Sequence, residues 1–211
     1  MALLVLVRHG KSEWNHLGLW TGLVDVDLTT DGVAEASKTG KILSDIEFHH
    51  LYSSELYRAQ RTLMEVVEAT GKETYHEAET HPALNERDYG EFTGKNKWQV
   101  KEEVGEERFH RIRRHFNEPI PGGETLKDVH DRVVPFYEST ILPRLMQEKN
   151  VLVVAHGNSL RALAKHLEGL NEEEVANLEI GTGEAHCYVI DNSGTIVRKE
   201  IRGANTSKAK V

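Results

Sequence analysis

The stretch Leu3-Leu4-Val5-Leu6-Val7-Arg8-His9-Gly10 runs from an apolar segment into a cation, an imidazole and a glycine. A second stretch repeats this form, Val151-Leu152-Val153-Val154-Ala155-His156-Gly157-Asn158. Short, continuous apolar runs are typical of strands that are buried on both faces of a parallel sheet. Ligands bind beyond the carboxyl ends of such strands. The two stretches therefore predict a parallel sheet with both His-Gly pairs at its binding edge.

Further patterns predict the remaining elements of the chain. Leu160, Leu163 and Leu167 share one helical face, and Gly169 is suited to end that helix. The other predicted elements are helices over residues 33–43 and 59–67, a strand over 48–52, a long helix over 129–145 with a kink at Pro135, and a hairpin formed by 187–191 and 195–201. Strands that alternate with helices predict an α/β fold, a three-layer sandwich whose mostly parallel central sheet is flanked by helices. We expect one domain over residues 1–211.

Composition narrows the possible partners and location. The 211-residue chain has a formal net charge of −8, which disfavours loose binding to nucleic acid or an anionic membrane. Any anion site must therefore be a local cluster of basic residues. The one cysteine, Cys187, cannot form an internal disulfide, and no leader precedes the first apolar run. We expect a cytoplasmic protein.

His9 is the first candidate for chemistry. An imidazole must be neutral to attack phosphorus, and the neighbouring Arg8 favours the neutral form because like charges repel. Gly10 is expected to let backbone N–H groups approach phosphate oxygens closely. The tripeptide alone is a weak motif, and His156 taken alone is equally consistent with a helix cap.

Several ordered stretches make the pattern specific. They are Arg8-His9-Gly10-Lys11-Ser12-Glu13-Trp14-Asn15, Thr21-Gly22, Tyr57-Arg58-Ala59-Gln60-Arg61-Thr62, Leu84-Asn85-Glu86-Arg87-Asp88-Tyr89-Gly90, Gly94-Lys95-Asn96-Lys97, Arg113-Arg114, and Ala155-His156-Gly157-Asn158-Ser159-Leu160-Arg161-Ala162-Leu163. Over nearly its whole length the chain resembles the cofactor-dependent phosphoglycerate mutases of the histidine phosphatase superfamily.

The resemblance implies a role for each matching residue. His9 is expected to be phosphorylated during turnover, Arg8, Arg58 and His156 to surround the moving phosphoryl group, and Glu86 to act as the general acid and base. The residues expected to bind the phosphate and carboxylate ends of a phosphoglycerate are Arg8, Gly10, Ser12, Asn15, Thr21, Gly22, Arg58, Glu86, Arg87, Tyr89, Lys97, Arg113, Arg114, Gly157 and Asn158.

The resemblance also implies a reaction. It is the interconversion of 3-phosphoglycerate and 2-phosphoglycerate, an isomerase step of glycolysis and gluconeogenesis that is primed by 2,3-bisphosphoglycerate. No His, Cys or Asp spacing indicates a zinc site, and the superfamily chemistry implies no metal. Two alternatives remain open: a phosphatase of the same superfamily acting on a small phosphorylated metabolite, and a non-catalytic anion-binding module. The second would be expected to lack His9, Glu86 or His156.

Three features depart from the family pattern. Position 11 is Lys11, an extra cation that either strengthens anion binding or points away. The segment 115–123 is short where many members carry an insert, and the tail after Gly203 is short. A tail that covers the site excludes water and protects a phosphoenzyme from hydrolysis. These departures leave open the balance between mutase and phosphatase, and the choice between homodimer and monomer.

Overall fold

A six-stranded sheet in the order β3-β2-β4-β1-β5-β6 forms the centre of the protein. The computed structural model describes residues 1–72 and 78–203. The strands are β1 Ala2–Arg8, β2 His50–Ser53, β3 Glu79–Thr80, β4 Val151–Ala155, β5 Ala185–Ile190 and β6 Ile196–Arg202. The helices are α1 Glu13–His16, α2 Thr30–Ile42, α3 Tyr57–Thr70, α4 Lys97–Val104, α5 Glu106–Arg114, α6 Leu126–Phe136, α7 Leu142–Met146, α8 Gly157–Glu168 and α9 Glu172–Asn177.

The sheet is parallel on one side and antiparallel on the other. Strands β3, β2, β4 and β1 pair in parallel, and β5 and β6 are added to β1 as an antiparallel hairpin. The mostly parallel α/β fold and its C-terminal hairpin are therefore confirmed. Strands from near both ends of the chain share one sheet, which supports the single domain over residues 1–211, although that domain assignment stays a prediction.

Alternation along the strands divides the core into two layers. On β1, Leu4 and Leu6 are buried in one apolar cluster, and Val5 and Val7 are buried in the other. This is the result expected when successive side chains of a strand point to opposite faces. Helices α6 and α8 contribute to the first cluster, and α2 and α3 contribute to the second. The sheet thus has helices on both faces, as predicted.

A third apolar cluster lies apart from the sheet. It is built around Trp20, which is 1% exposed, and includes Phe109 and Ile112 of α5 together with Val100 of α4. The cluster packs the segment that follows β1 against helices α4 and α5. It therefore positions the basic end of α5, which carries Arg113 and Arg114.

Two predicted elements differ in detail from the structure. The strand predicted over residues 48–52 is shifted to His50–Ser53, because its partner β4 begins only at Val151, opposite His50. The long helix predicted over residues 129–145 is interrupted: α6 ends at Phe136, and a π-helical turn over Tyr137–Ile141 then leads into α7. The Pro135 carbonyl accepts the Ser139 hydroxyl of this turn at 2.7 Å, and the kink at Pro135 itself stays a prediction.

Within the described residues, no helix combines the length and apolar character needed to cross a membrane.

Candidate active site

The two His-Gly pairs lie side by side. Strands β1 and β4 are parallel, with Arg8 opposite Ala155, so the next residue of each strand is a histidine at the same carboxyl edge. The His9 N–H donates to the Ala155 carbonyl at 3.0 Å, and the ring centroids of His9 and His156 are 4.9 Å apart. Both histidines are buried. Sheet register alone therefore brings together residues that are far apart in the chain.

The imidazole of His9 is held in one orientation. Its Nδ1 lies 2.7 Å from the carbonyl of Gly10. A carbonyl only accepts, so Nδ1 carries the proton and Nε2 keeps its lone pair. Burial, and after it the charges of Arg58 and Arg8, hold the pKa of His9 well below the ordinary histidine value. The ring is neutral at physiological pH and presents a nucleophilic nitrogen.

His156 is fixed from the opposite side by Ser54. Its Nε2 lies 2.7 Å from the Ser54 hydroxyl, which also accepts the Leu56 N–H at 3.2 Å. Within the described residues the Nδ1 of His156 has no hydrogen-bond partner. His156 is fully buried and does not line the cleft itself, so it contacts the site through the ring of His9. Burial, followed by the charges of Arg58, His9 and Arg8, keeps the pKa of His156 well below its ordinary value.

A cleft at this edge is rich in cations. The basic side chains that line it are Arg8, Arg58, Lys97, Arg113, Arg114 and Arg161. The other lining residues are His9, Asn15, Trp20, Thr21, Gly22, Glu86, Tyr89, Gly157, Asn158, Glu179 and Ile180. The chain is acidic as a whole, so this cleft is the local basic cluster that the composition required of any anion site.

The arginines nearest His9 are held by backbone carbonyls. Arg58 donates to the carbonyls of Gly22 and Val24 at 3.0 and 2.9 Å, and Arg8 donates to that of Ile180 at 2.7 Å. Within the described residues, the buried Nε atoms of Arg8 and Arg58 have no partner. These are preset donors for phosphate oxygens.

Lys97 and Arg113 form a second basic group in the cleft. Burial and the charges of Arg113 and Arg8 lower the pKa of Lys97 to about 8. Burial and the charge of Arg114 lower the pKa of Arg113. The charge of Arg8 thus lowers the pKa of both His9 and Lys97. A ligand with anionic groups at two ends would meet cations along its whole length.

Glu86 enters the cleft from the loop after β3 and is 9% exposed. Three N–H groups donate to its Oε1: the backbone of Arg87 at 2.8 Å, the backbone of Asn158 at 3.3 Å and the side chain of Asn158 at 3.0 Å. Arg132 of α6 holds the same loop by donating to the carbonyls of Asn85 and Glu86. The carboxyl is thus fixed through one oxygen, Oε1, while it lines the cleft.

These features match a known family of proteins. The family model described as histidine phosphatase superfamily, branch 1, matches residues 4–200. The chain belongs to the histidine phosphatase superfamily. The family predicted from the ordered stretches is thereby confirmed.

Relatives in the superfamily carry the name 2,3-bisphosphoglycerate-dependent phosphoglycerate mutase. The protein from Parvibaculum lavamentivorans is 46% identical, over 94% of this chain and 95% of its own length. The protein of the same name from Rhizobium meliloti is 45% identical, over 95% of each chain. The family model's match over residues 4–200 spans both histidines and the Glu86 loop.

Solved structures of the superfamily share the fold. A mycobacterial glucosyl-3-phosphoglycerate phosphatase has a TM-score of 0.81 at 24% identity, and the match covers 97% of this chain and all of that chain (100%). Bacillus stearothermophilus YhfR has a TM-score of 0.80 at 24% identity, and the match covers 96% of this chain and 97% of that one. At this level of identity the likeness concerns the fold alone.

Three of the predicted binding residues do not line the cleft. Ser12 caps α1, where its hydroxyl accepts the Asn15 N–H at 3.2 Å. Arg87 is fully buried, donates to the Ile112 carbonyl and lies 4.7 Å above the ring of Tyr89. Ser12 and Arg87 therefore support the neighbours that do line the cleft.

Gly10 is the third, and it is required for packing. Its N–H donates to the Thr62 hydroxyl at 3.1 Å. A Cβ on Gly10 would lie 2.2 Å from the carbonyl oxygen of Gly32 in α2. The predicted reason for this glycine, close approach of its N–H to phosphate, is therefore replaced by close approach of two backbones.

The structure shows where two of the three departures from the family pattern lie. Lys11 does not line the cleft, and its amine lies 3.7 Å from the carboxylate of Asp31. The compact segment 115–123 packs against the Tyr89 loop, where the Pro121 carbonyl accepts the Glu91 N–H at 3.1 Å. The tail over residues 204–211 lies outside the described residues.

Several residues of the site were not predicted from the sequence. Trp20, Arg161, Glu179 and Ile180 line the cleft, and Ser54 supports His156. Arg161 follows Asn158 by three positions, a spacing that places both on one helical face and was available in the sequence. Its guanidinium donates to the Asn158 side chain and to the carbonyls of Arg113 and Arg114. Nothing local in the sequence pointed to Glu179.

Within the described part of the chain, no group of three or more His, Cys, Asp or Glu side chains is arranged to hold a metal ion.

Proposed function

We propose that this chain is a phosphoglycerate mutase that interconverts 3-phosphoglycerate and 2-phosphoglycerate through a phosphohistidine at His9, with 2,3-bisphosphoglycerate as primer. One observation carries the proposal: a neutral histidine and a carboxyl held for proton exchange line the same cation-rich cleft. The relatives at 45–46% identity that bear the mutase name support it.

The residues present are suited to 2,3-bisphosphoglycerate. Two buried guanidinium nitrogens, the Nε atoms of Arg8 and Arg58, lack partners in the described structure. Lys97, Arg113 and Arg114 add charge along the same cleft. When bound, the primer supplies the phosphoryl group that His9 then carries. The acceptors of phosphate and carboxylate match the donors of these side chains.

His9 performs the transfer step. Its Nε2 forms a bond to phosphorus while the bond from phosphorus to the leaving oxygen breaks, and the Nδ1–H···O bond to Gly10 stabilises the positive charge that develops on the ring. Arg8 and Arg58 stabilise the charge on the moving phosphoryl oxygens, and His156 assists from its position beside His9. Phosphoryl transfer depends mainly on such positioning and charge stabilisation.

Glu86 acts as the general acid and base of the reaction. Its carboxylic acid protonates the oxygen that leaves phosphorus, and its carboxylate later accepts the proton of the hydroxyl that attacks the phosphohistidine. Asn158 and the Arg87 backbone keep one carboxyl oxygen in place throughout. A mutase needs this reversible exchange because two different hydroxyls take part in turn.

We also propose the surroundings of the reaction. The partners are small phosphorylated metabolites, with neither nucleic acid nor membrane, and the chain acts in the cytoplasm without a metal, as a homodimer or a monomer. The net charge of −8 supports the absence of polyanionic partners.

Product analysis tests the function. The protein is incubated with 3-phosphoglycerate, with and without 2,3-bisphosphoglycerate, and 2-phosphoglycerate and inorganic phosphate are both measured. A mutase forms 2-phosphoglycerate and depends on the primer, and mass spectrometry then finds an acid-labile phosphate on His9. His9→Asn abolishes both results, whereas His130→Asn, on the surface of α6, leaves both intact. Release of phosphate without 2-phosphoglycerate would establish the phosphatase alternative, and no turnover would favour the anion-binding module.

A further inference from the structure

Glu179 is a carboxylate within a basic cleft that the proposed reaction does not use. Glu86 and Glu179 are the two acidic side chains among the described residues of the lining. Glu86 has a role in proton exchange. Glu179 follows α9 in a connecting segment and is joined to the site by its own contacts.

Two contacts fix Glu179 in place. Its Oε1 accepts a hydrogen bond from Arg114 at 2.6 Å, with side-chain exposures of 41% for Glu179 and 19% for Arg114. The next residue, Ile180, accepts from Arg8 through its carbonyl at 2.7 Å. The segment is therefore held between the arginine beside His9 and the basic end of α5.

The charge of Glu179 is maintained by these neighbours. Partial burial raises its pKa, but the hydrogen bond from Arg114 and the charges of Arg114, Arg113 and Arg8 outweigh burial, so the pKa lies below the ordinary value. The side chain carries a full negative charge at neutral pH. It therefore neutralises Arg114, with which it pairs directly, and its charge also acts on Arg113.

We propose that Glu179 makes the cleft discriminate among anions, favouring a ligand with a single negative charge at the Arg113–Arg114 end over a ligand with a phosphate there. A carboxylate placed at that end adds one negative charge beside Glu179, whereas a phosphate adds nearly two. The repulsion from Glu179 grows with that charge. The attraction between the ligand and Arg114 increases by less, because Arg114 is already paired with Glu179.

The consequence for catalysis rests on the proposed function. In a mutase the discrimination weakens the hold on 2,3-bisphosphoglycerate relative to a monophosphoglycerate, so that the primer exchanges and substrate is not displaced. Unit charges several Å apart in a partly solvated site change affinity by about three- to tenfold for each added ligand charge. Glu179 is thus a specificity-determining residue.

Calorimetric titration of Glu179→Gln tests the proposal. Inorganic phosphate and pyrophosphate are titrated first, because their difference in charge probes the electrostatics whether or not the chain is a mutase. The variant binds both more tightly, and the gain is about three- to tenfold greater for pyrophosphate. The same ratio is then measured for 2,3-bisphosphoglycerate over 3-phosphoglycerate. Glu179→Asp, which retains the charge, keeps the wild-type ratios.

The matched control is Glu107→Gln on the outer face of α5. Glu107 also pairs with an arginine, Arg111, at 2.7 Å, but does not line the cleft. This variant leaves both ratios unchanged. Equal tightening of all anions, or no change, in Glu179→Gln would overturn discrimination by charge. Weaker binding of all anions would show that Glu179 only positions Arg114, and would overturn it as well. Failure of phosphoglycerates alone to bind would instead count against the proposed function.

Discussion

Asn158 donates two hydrogen bonds to the same oxygen of Glu86, one from its backbone and one from its side chain, at 3.3 and 3.0 Å. Its side-chain nitrogen also donates to the Tyr89 hydroxyl at 2.7 Å, and its side-chain oxygen accepts from Arg161 at 3.0 Å. The residue after the second His-Gly pair therefore links the Glu86 carboxyl to the α8 helix. The role proposed for Glu86 therefore depends on where Asn158 holds its carboxyl as well as on the carboxyl itself.

Replacement of Asn158 tests this link. Asn158→Ala removes the side-chain donor and leaves Glu86 less well oriented, so we expect kcat for the mutase reaction to fall about 10- to 100-fold. Glu86→Gln lowers kcat by about 10²–10⁴-fold because it removes the titratable proton. Steady-state kinetics of both single variants and the double variant are the measurement.

Non-additivity is the decisive result in that series. If Asn158 acts through Glu86, the alanine substitution has little further effect on kcat once Glu86 is Gln. The control is Asn117→Ala, which removes a surface amide–carboxylate bond to Glu172 at 2.9 Å. Fully additive losses would show that Asn158 acts independently of Glu86. Near-normal turnover of Glu86→Gln would remove Glu86 from the mechanism.

The pKa of Lys97 predicts an alkaline limit for substrate binding. A lysine with a pKa of about 8 is charged below that pH and neutral above it. We therefore expect KM for phosphoglycerate to rise as pH increases through about 8, with a bound anion moving the limit upward. Lys97→Gln raises KM at pH 7 and flattens its pH dependence. Lys95→Gln changes neither, because Lys95 is exposed and does not line the cleft. An alkaline rise in KM that persists in Lys97→Gln would assign the limit elsewhere.

The depressed pKa of His9 predicts where activity falls in acid. Attack requires the neutral ring, and burial with the charges of Arg58 and Arg8 favours it. The acid limb of kcat/KM is therefore expected below the ordinary histidine pKa of about 6.5. Arg58→Gln moves the limb upward because one nearby positive charge is gone. A wild-type limb well above 6.5 would contradict the cationic environment of His9.

The same two buried histidines predict a dependence of stability on pH. The pKa values of His9 and His156 are lower in the folded protein than in the unfolded chain, so the unfolded chain binds more protons in acid. Their contribution to the free energy of unfolding is intact above about pH 6.5 and is lost as pH falls below that value toward the depressed pKa. Urea unfolding at pH 7.5 and 5.5 measures it. The His9→Asn, His156→Asn double variant should show a smaller difference between the two conditions.

Gly10 and Gly32 predict a packing defect. In Gly10→Ala the new Cβ would lie 2.2 Å from the Gly32 carbonyl oxygen, and backbone must move to admit it. We expect the free energy of unfolding to fall by about 2–3 kcal/mol, as in overpacked cores, or the variant to fail to fold. Gly71→Ala is the control: it adds a Cβ at φ +69° in open space and costs about 1 kcal/mol of left-handed strain. Chemical denaturation measures the stability of both variants. Similar losses in Gly10→Ala and Gly71→Ala would refute the close backbone contact.

The sequence by itself determined the strands that carry the histidines, the helices that follow them and the family. Continuous apolar runs and helical periodicity are local patterns, and they placed β1, β4, α2, α3 and α8. The ordered stretches also named cleft residues such as His9, Glu86 and Asn158, but not Trp20 or Glu179. Boundaries were less well determined, as at β2, because the start of a strand depends on where its partner begins.

Only the tertiary structure decided how those residues work together. The parallel register of β1 and β4 sets His9 beside His156, and the fold carries Asn158 to Glu86 and Glu179 to Arg114. It also showed that Gly10 and Arg87 serve packing behind the cleft. The physical reason is that hydrogen bonds and charge–charge interactions act over a few ångströms in space, whereas sequence patterns report on neighbours along the chain. Contacts such as Glu179 with Arg114, 65 positions apart, leave no periodic trace in the sequence.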